Sequence, residues 1–475
     1  MGKKARVPIL GGGLIVVAFS IIPIQKVHHG LIFDPEHYHP DRIAALTKLR
    51  AASSSNVSDY FSEITALITP GLNSVNSDVF DLTDALGWLL GEGDRPIVIN
   101  SSKKQARPND LVISRLRSYL EEVCIVPSRS ENYAPLFSTE FIVLRPTKDN
   151  DSTSWLLAFL LSKQVQTILR WSQTGSNHPR FSSRTLLDLP IPDAVLGIQG
   201  EVGALVKAAV KLFEHAKVLY PEAEEELLER LGWDKLQEQK PELIFVGNIA
   251  ELNRMGRVDA EHFHPKNRRL REQLIKAGTM RLADFCPLPN RGVQPSFVPD
   301  GDVFVLASKA IRPQGVAPVE DARTDIAFWS DAANEKARVR NGDVLLNSTG
   351  VGTLGRASFY MGDTPAIADN HVAIIRPDEV VCLPPYLSLF LNSPAGIAQS
   401  EMFQTGSSGQ LEIYPQHIQE ILIYLPRNRD GSIDLAWQKK LADKVVGASL
   451  AKQQAQEKLA QAKKMVEEAI LKSLW

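Results

Sequence analysis

Two stretches of the chain step their apolar residues by three and four positions. Val202, Leu205, Ala209, Leu212, Ala216 and Leu219 form one seam. Leu441, Val445, Ala448, Ala455, Leu459, Ala462, Val466 and Ala469 form the other, with Lys452 as its one polar member. At 3.6 residues per turn this spacing returns to one helix face, so both stretches predict long helices with a coiled-coil seam. Pro221 is expected to break or kink the first, with a short helix following over 222–231, because proline removes a donor and clashes with the preceding turn. Between the seams, β-branched runs such as 141–144 and 303–306 lie among glycines and prolines and predict strands.

The pattern occurs twice in one order. Asp34-Pro35-Glu36-His37-Tyr38-His39-Pro40 returns as Asp259-Ala260-Glu261-His262-Phe263-His264-Pro265, and Asn109-Asp110-Leu111-Val112 as Gly342-Asp343-Val344-Leu345. Val143-Leu144-Arg145-Pro146 pairs with Ile374-Ile375-Arg376-Pro377, and Gln173-Thr174-Gly175-Ser176 with Gln404-Thr405-Gly406-Ser407. Leu231-Gly232-Trp233 closes the first copy and Ser473-Leu474-Trp475 the second. The period is far longer than the roughly 20–50 residues of a solenoid unit. It marks a duplicated domain, each copy a short leading strand, a body and a long helix.

Charge separates the two helices. Residues 198–232 carry seven acids and four bases, whereas 435–475 carry four acids and eight bases. Opposite nets on two apolar-seamed helices of a duplicated chain predict that they pair with each other. Over the whole chain the net charge is only −2, so a nucleic-acid surface must be a local patch. Hydrophobic content of 44% and charged content of 23% describe an ordinary folded protein. Cys124, Cys286 and Cys382 are scattered and form neither a disulfide framework nor a metal knuckle, which fits a reducing cytoplasm. Lys3, Lys4 and Arg6 before the apolar 7–24 stretch imitate a signal peptide. Gly11-Gly12-Gly13 and Pro23 interrupt that stretch, and the repeat lays 19–24 on 244–249, so it reads as the first strand of repeat one.

Several motifs invite catalytic readings that their context opposes. Gly350-x-Gly352-x-x-Gly355 matches a dinucleotide fingerprint by letter, but a strand rather than a helix is expected after it. The glycines then serve a hairpin that needs positive φ. Leu383-Pro384-Pro385-Tyr386 resembles an adenine-methyltransferase signature with leucine where an Asn or Asp acceptor is required. His37-x-His39 and His262-x-His264 would share a strand face as metal ligands, yet no cysteine or third ligand is near, and structural zinc takes four. Packing and hydrogen bonding where the leading strand meets the body is the preferred role.

The repeated Asp-x-Glu-His segments, Ser114-Arg115-Leu116-Arg117, Asn347-Ser348-Thr349-Gly350, the Gln-Thr-Gly-Ser pair and the helix ends at 224–233 and 464–475 together resemble the specificity subunits of type I restriction–modification enzymes. The resemblance covers residues 19–475; His37 and His262 depart from it, since the family more often has an aromatic residue there. It implies an α+β chain of two duplicated α/β target-recognition domains, 19–197 and 241–432, after an N-terminal extension at 1–18. Helical regions at 198–240 and 433–475 would form an antiparallel coiled-coil spacer with Val202, Leu205, Leu212, Leu219, Leu441, Val445, Leu459 and Val466 in its seam. It also implies a non-catalytic cytoplasmic reader of a split, asymmetric double-stranded DNA target, with no membrane role. Two methyltransferase subunits would dock on it and hold the S-adenosylmethionine, this chain binding no cofactor or metal; motor–nuclease subunits would join through them. A stand-alone methyltransferase or nuclease, or a methyltransferase-only defence system, is the alternative.

The candidate DNA contacts are basic and amide residues in the bodies. Lys103, Lys104, Arg107, Arg115, Arg117, Gln173, Asn177, Arg180 and Arg184 belong to the first. Lys309, Arg312, Asn347, Ser348, Thr349, Arg356, Gln404, Ser407 and Gln410 belong to the second. Lysine and arginine neutralise phosphates without reading sequence, arginine can take guanine O6 and N7 together, and Asn or Gln match adenine. Any one of them is more often a solvated surface residue; as loop clusters in duplicated bodies they favour DNA.

Overall fold

The computed structural model describes residues 35–69, 77–82, 84–85, 89–91, 93, 99–116, 121–130, 133–148, 152–175, 177–236, 246, 249–406 and 411–473, and the backbone at 2–8 and 14–20. The chain divides into two units. The first comprises residues 1–214 with 452–475, the second 215–451. Each unit therefore owns one body and takes a piece of both long helices, Gln199–Leu231 and Leu435–Lys472.

The two bodies share a strand plan. In the first, Phe61–Glu63, Phe141–Pro146, Leu111–Ser114 and Val123–Ile125 form a four-stranded sheet in that order. In the second, Asn290–Arg291, Val372–Ile375, Val344–Asn347 and Ala357–Phe359 do the same, also antiparallel. Both faces of the first sheet are covered. Ile142 and Leu144 join a core with Trp155, Leu160 and Val202, while Phe141 and Val143 join another with Phe80 and Phe137. A strand period of two, apolar at every position, produces this double burial.

A further sheet in each body shares three strands. Lys103–Gln105, Leu136–Ser138 and Val79–Phe80 lie side by side in the first body, Arg338–Val339, Ala366–Ala368 and Val303–Leu306 in the second. The fourth strand differs. Leu67–Ile68 adds beside Lys103–Gln105 in one body, and Arg323–Thr324 beside Val303–Leu306 in the other.

Repeated letters become repeated devices. Asp110 accepts two hydrogen bonds from Arg145, at 2.9 and 2.6 Å, and Asp343 accepts two from Arg376, at 2.8 and 3.1 Å. Each aspartate also caps a turn, taking the N–H of Arg107 or of Arg340 at 2.8 Å. The residue before it has positive φ, 72° at Asn109 and 86° at Gly342, where Asn and Gly are the tolerated types. The His-x-His segments are not strands. Residues Pro35–Tyr38 form a 3₁₀ turn, and His39 and His264 are the N-caps of helices Pro40–Ala51 and Pro265–Lys276. Their Nδ1 atoms accept the N–H of Asp41 and of Lys266, and the following proline fits the first helical turn. Among the described residues no group of three or more His, Cys, Asp or Glu is placed to hold a metal.

At the N-terminus Leu14–Ser20 pairs antiparallel with Gly2–Pro8, Gly2 opposite Ser20. Of the strand expected over 19–24, residues 19 and 20 close Leu14–Ser20, and 21–24 fall outside the described residues. Of its counterpart at 244–249 only Val246 and Ile249 are described, and Ile249 opens the helix Ile249–Met255.

The helix seams are sharper than their leucines indicate. On the second helix Leu441, Val445, Ala448, Ala455, Leu459, Ala462, Val466 and Ala469 are all buried, as expected. On the first, the buried positions are Val202, Val206, Ala209, Ala216, Tyr220, Ala223, Leu227 and Leu231, while Leu205, Leu212 and Leu219 are half-buried along the flank. The helix runs unbroken through Pro221, which is exposed. A seam packed on both sides of the proline outweighs one missing hydrogen bond on the wet face. In the first unit Val202 and Val206 share a core with Leu459, Ala462, Val466 and Ile470. In the second, Lys444 reaches Glu222 at 3.2 Å, Glu226 meets Lys440 and Lys444, and Arg230 meets Asp434 at 2.9 Å. Rising numbers on one helix meet falling numbers on the other, so the pair is antiparallel. No helix among the described residues is long and apolar enough to cross a membrane.

Candidate nucleic-acid interface

The Gln-Thr-Gly-Ser repeat builds a backbone clip. Thr174 exchanges both backbone hydrogen bonds with Arg180, at 2.9 and 3.0 Å, and Thr405 exchanges both with Glu412, at 2.7 and 2.9 Å. Gly175 and Gly406 turn the chain with φ of 102° and 103°, which only glycine adopts without strain. The next residue then bonds to the sheet: Phe181 N–H to Arg115 O at 3.1 Å, Ile413 N–H to Ser348 O at 2.9 Å. Arg115 and Ser348 are themselves bonded through their N–H groups to Glu140 O and His371 O. Both bodies thus carry one frame of three segments at the end of the central strands.

Beside the shared Gln-Thr-Gly, four equivalent places on this frame carry different side chains. The first body has Arg115, Leu116, Glu140 and Arg180; the second has Ser348, Thr349, His371 and Glu412. Glu140 takes a two-pronged bond from Arg180, at 2.8 and 2.7 Å, and lies 3.5 Å from Arg115 Nε. The Arg180 hydrogen bonds hold the Glu140 carboxyl below its usual range. Arg115 keeps 41% of its side chain exposed, and among the described residues neither its buried Nε nor its terminal amino groups make a hydrogen bond. In the second body Thr349 Oγ1 and His371 Nδ1 are 2.8 Å apart, His371 is exposed, and Glu412 is paired with Arg291.

The structure sorts the other candidates by burial. Lys104 is only 9% exposed; its ammonium donates to Phe141 O at 2.9 Å and to Glu63 at 3.2 Å, tying two sheets together. Lys103 is likewise buried and reaches Asp81 at 3.4 Å. Neither ammonium can face a phosphate without breaking these bonds, so both correct the expectation of an open basic loop. Gln173, Asn347 and Ser348 are also buried. Asn347 donates to Ser308 O at 3.2 Å, and Ser348 Oγ to His371 O at 3.0 Å. Arg107, Asn177, Lys309 and Arg312 are exposed, and Arg184 is 88% exposed beside Asp188. Gln404 is half-buried, its carbonyl accepting from Arg257 at 2.9 Å. Arg117, Ser407 and Gln410 lie outside the described residues.

Gly350, Gly352 and Gly355 all have positive φ and join the antiparallel strands Val344–Asn347 and Ala357–Phe359, so the dinucleotide reading fails for want of a helix. Arg356 closes this turn onto Gly352 O at 3.3 Å. Burial first, and then the nearby Arg312, makes its charged form less favourable than usual. Arg312 lies near Arg356, and among the described residues neither of them, nor exposed Lys309, forms an ion pair within 4 Å. Leu383-Pro384-Pro385-Tyr386 opens the helix Pro384–Asn392, with Tyr386 buried and its hydroxyl donating to Tyr424 O at 2.5 Å.

Glu140, Arg291, His371 and Glu412 were not singled out by sequence reasoning. A signal was present for two of them. Glu140 and His371 each stand five places before the repeated arginine, Arg145 or Arg376, and immediately before equivalent strands.

No family model matches the chain, and no curated protein matches it in sequence. Solved structures similar to it do exist. One is the S subunit of a type I restriction–modification system from M. genitalium, 12% identical, covering 88% of this chain and 95% of that one with a TM-score of 0.44. Another is the HsdS subunit from Thermoanaerobacter tengcongensis, at 13% identity, 88% and 95% coverage and a TM-score of 0.27. A third comes from work on complex assembly and conformational transition of the type I R-M system, at 15% identity, 86% and 97% coverage and a TM-score of 0.28.

Proposed function

We propose that this chain is the non-catalytic DNA-specificity subunit of a type I restriction–modification system. Each body reads one part of a bipartite, asymmetric double-stranded target. The paired helices and the segments beside them dock two adenine-methyltransferase subunits, and motor–nuclease subunits join through these. S-adenosylmethionine belongs to the methyltransferase partners, and the assembly works in the cytoplasm.

The observation that carries this reading is one backbone frame built twice with four different side chains on it. A duplicated enzyme would keep its chemistry in both copies, or keep one copy intact. Here the repeated residues cap helices, close turns and pair inside the sheets, while the four places on the frame diverge. A rigid scaffold with exchangeable surface groups is what a reader of two unlike sequences requires.

Purified chain, alone and with its methyltransferase partners, is tested for duplex binding across a salt series. The expected result is sequence-dependent affinity whose logarithm falls linearly with log salt, by about 0.9 per phosphate neutralised. Binding of S-adenosylmethionine by the chain alone would instead support a stand-alone methyltransferase. Affinity without sequence preference would refute the specificity role.

A further inference from the structure

We infer that Arg115 in the first body and His371 in the second are the base-reading residues, each aimed by a neighbour on the repeated clip: Glu140, fixed by Arg180, for Arg115, and Thr349 for His371. The inference rests on the specificity-subunit reading and adds to it the side chains that discriminate bases.

Both residues sit on the same three-segment frame, bonded through Arg115 N–H to Glu140 O and through Ser348 N–H to His371 O. That frame fixes backbone position without using either side chain. Arg180 spends Nε and Nη2 on Glu140 and Nη1 on His178 O at 2.9 Å, which leaves it a strut. Arg115 faces the same carboxylate through an ion pair at Nε, 3.5 Å away and without a hydrogen bond, and its terminal amino groups make no hydrogen bond among the described residues. A guanidinium drawn by charge toward Glu140 at Nε and open at both terminal amino groups can meet two acceptors, the arrangement guanine offers at O6 and N7. In the second body the place of Glu140 is taken by His371. Thr349 occupies Nδ1 and thereby leaves Nε2 as the contact nitrogen. Arg291 neutralises Glu412, so no free carboxylate on the clip repels a phosphate beside His371.

The alternative for Arg115 is a phosphate contact, which would strengthen binding to all sequences alike. The experiment uses the full-length chain with a pool of randomised duplexes, sequencing the bound fraction for wild type, Arg115→Gln, Arg115→Lys, Glu140→Gln and His371→Gln. Thermal midpoints matching wild type identify folded variants, and Arg115→Lys keeps the charge should Arg115→Gln fail to fold. Wild type is expected to enrich a two-part sequence. Arg115→Gln and Arg115→Lys should lose or change preference within one part only, by roughly 5- to 150-fold at the affected base pair. Glu140→Gln should weaken preference in that same part, and His371→Gln should act in the other part alone. An unchanged enriched sequence with uniformly weaker binding would overturn the inference, as would changes by Arg115 and His371 variants in the same part. If wild type enriches no sequence, the specificity-subunit reading itself fails.

Discussion

Asp343 offers the sharpest test of how the bodies are held. Its carboxylate is 3% exposed and takes three hydrogen bonds, two from Arg376 and one from the Arg340 N–H. Arg376 is 25% exposed, so neither charge is well hydrated. Asp343→Asn keeps the shape and removes the charge, leaving a largely buried guanidinium without a counter-ion. Breaking one side of a buried pair costs about 3–5 kcal/mol; the exposed quarter of Arg376 lowers this to about 2–4 kcal/mol. In a unit of about 150–250 residues each kcal/mol moves the thermal midpoint by about 2–4 °C. The expected drop is therefore about 4–16 °C in the transition of the second unit, followed by calorimetry. Adding Arg376→Met should recover part of the loss, because the orphaned charge goes with it. A loss under about 1 kcal/mol, or no recovery in the double variant, would show that water already screens the pair and that the reasoning is wrong.

Other outcomes follow from the packing. Val445→Asp and Leu459→Asp put a charge into a fully closed seam and should each abolish cooperative folding of the unit that holds the residue; a circular-dichroism melt like wild type would refute the pairing. Lys104→Met should lower stability by about 1–3 kcal/mol through the unpaired Glu63 and Phe141 carbonyl while leaving the salt slope of DNA binding unchanged. A shallower slope would make Lys104 a phosphate contact after all. His262 is buried, and burial holds its imidazole below the usual histidine range. Being neutral in the fold, it contributes stability that is present above about pH 6.5 and lost as pH falls through its lowered value. His262→Gln should flatten that acid limb in a pH-dependent urea titration, and an unaltered limb would exclude it.

Much of this architecture was legible in the letters because repetition separates scaffold from surface. Asp110 and Asp343, Arg145 and Arg376, and the two Gln-Thr-Gly-Ser runs stood out as pairs, and each pair proved to be a structural device. Two readings missed for physical reasons. Leucine at 205, 212 and 219 drew the first seam one residue off its true line, since Val206 and Tyr220 carry it and large apolar residues also cover seam flanks. Pro221 looked decisive locally, but packing on the opposite face overrides a single local penalty. The clip's variable side chains were hidden because Glu140 and His371 share no chemistry, and only their common distance to an arginine links them.

The division of the long helices between units sets an order of events during synthesis. The first body emerges with Val202 and Val206, but its core is completed only by Leu459, Ala462, Val466 and Ile470. At about 5–20 residues per second, the intervening stretch takes on the order of 10–50 s to make. Throughout that interval the first body presents an uncovered apolar stripe, whereas the second unit is contiguous and can close as it appears. The later-made unit is thus the one equipped to fold first, and the earlier one must wait, exposed, for the last helix turns to arrive.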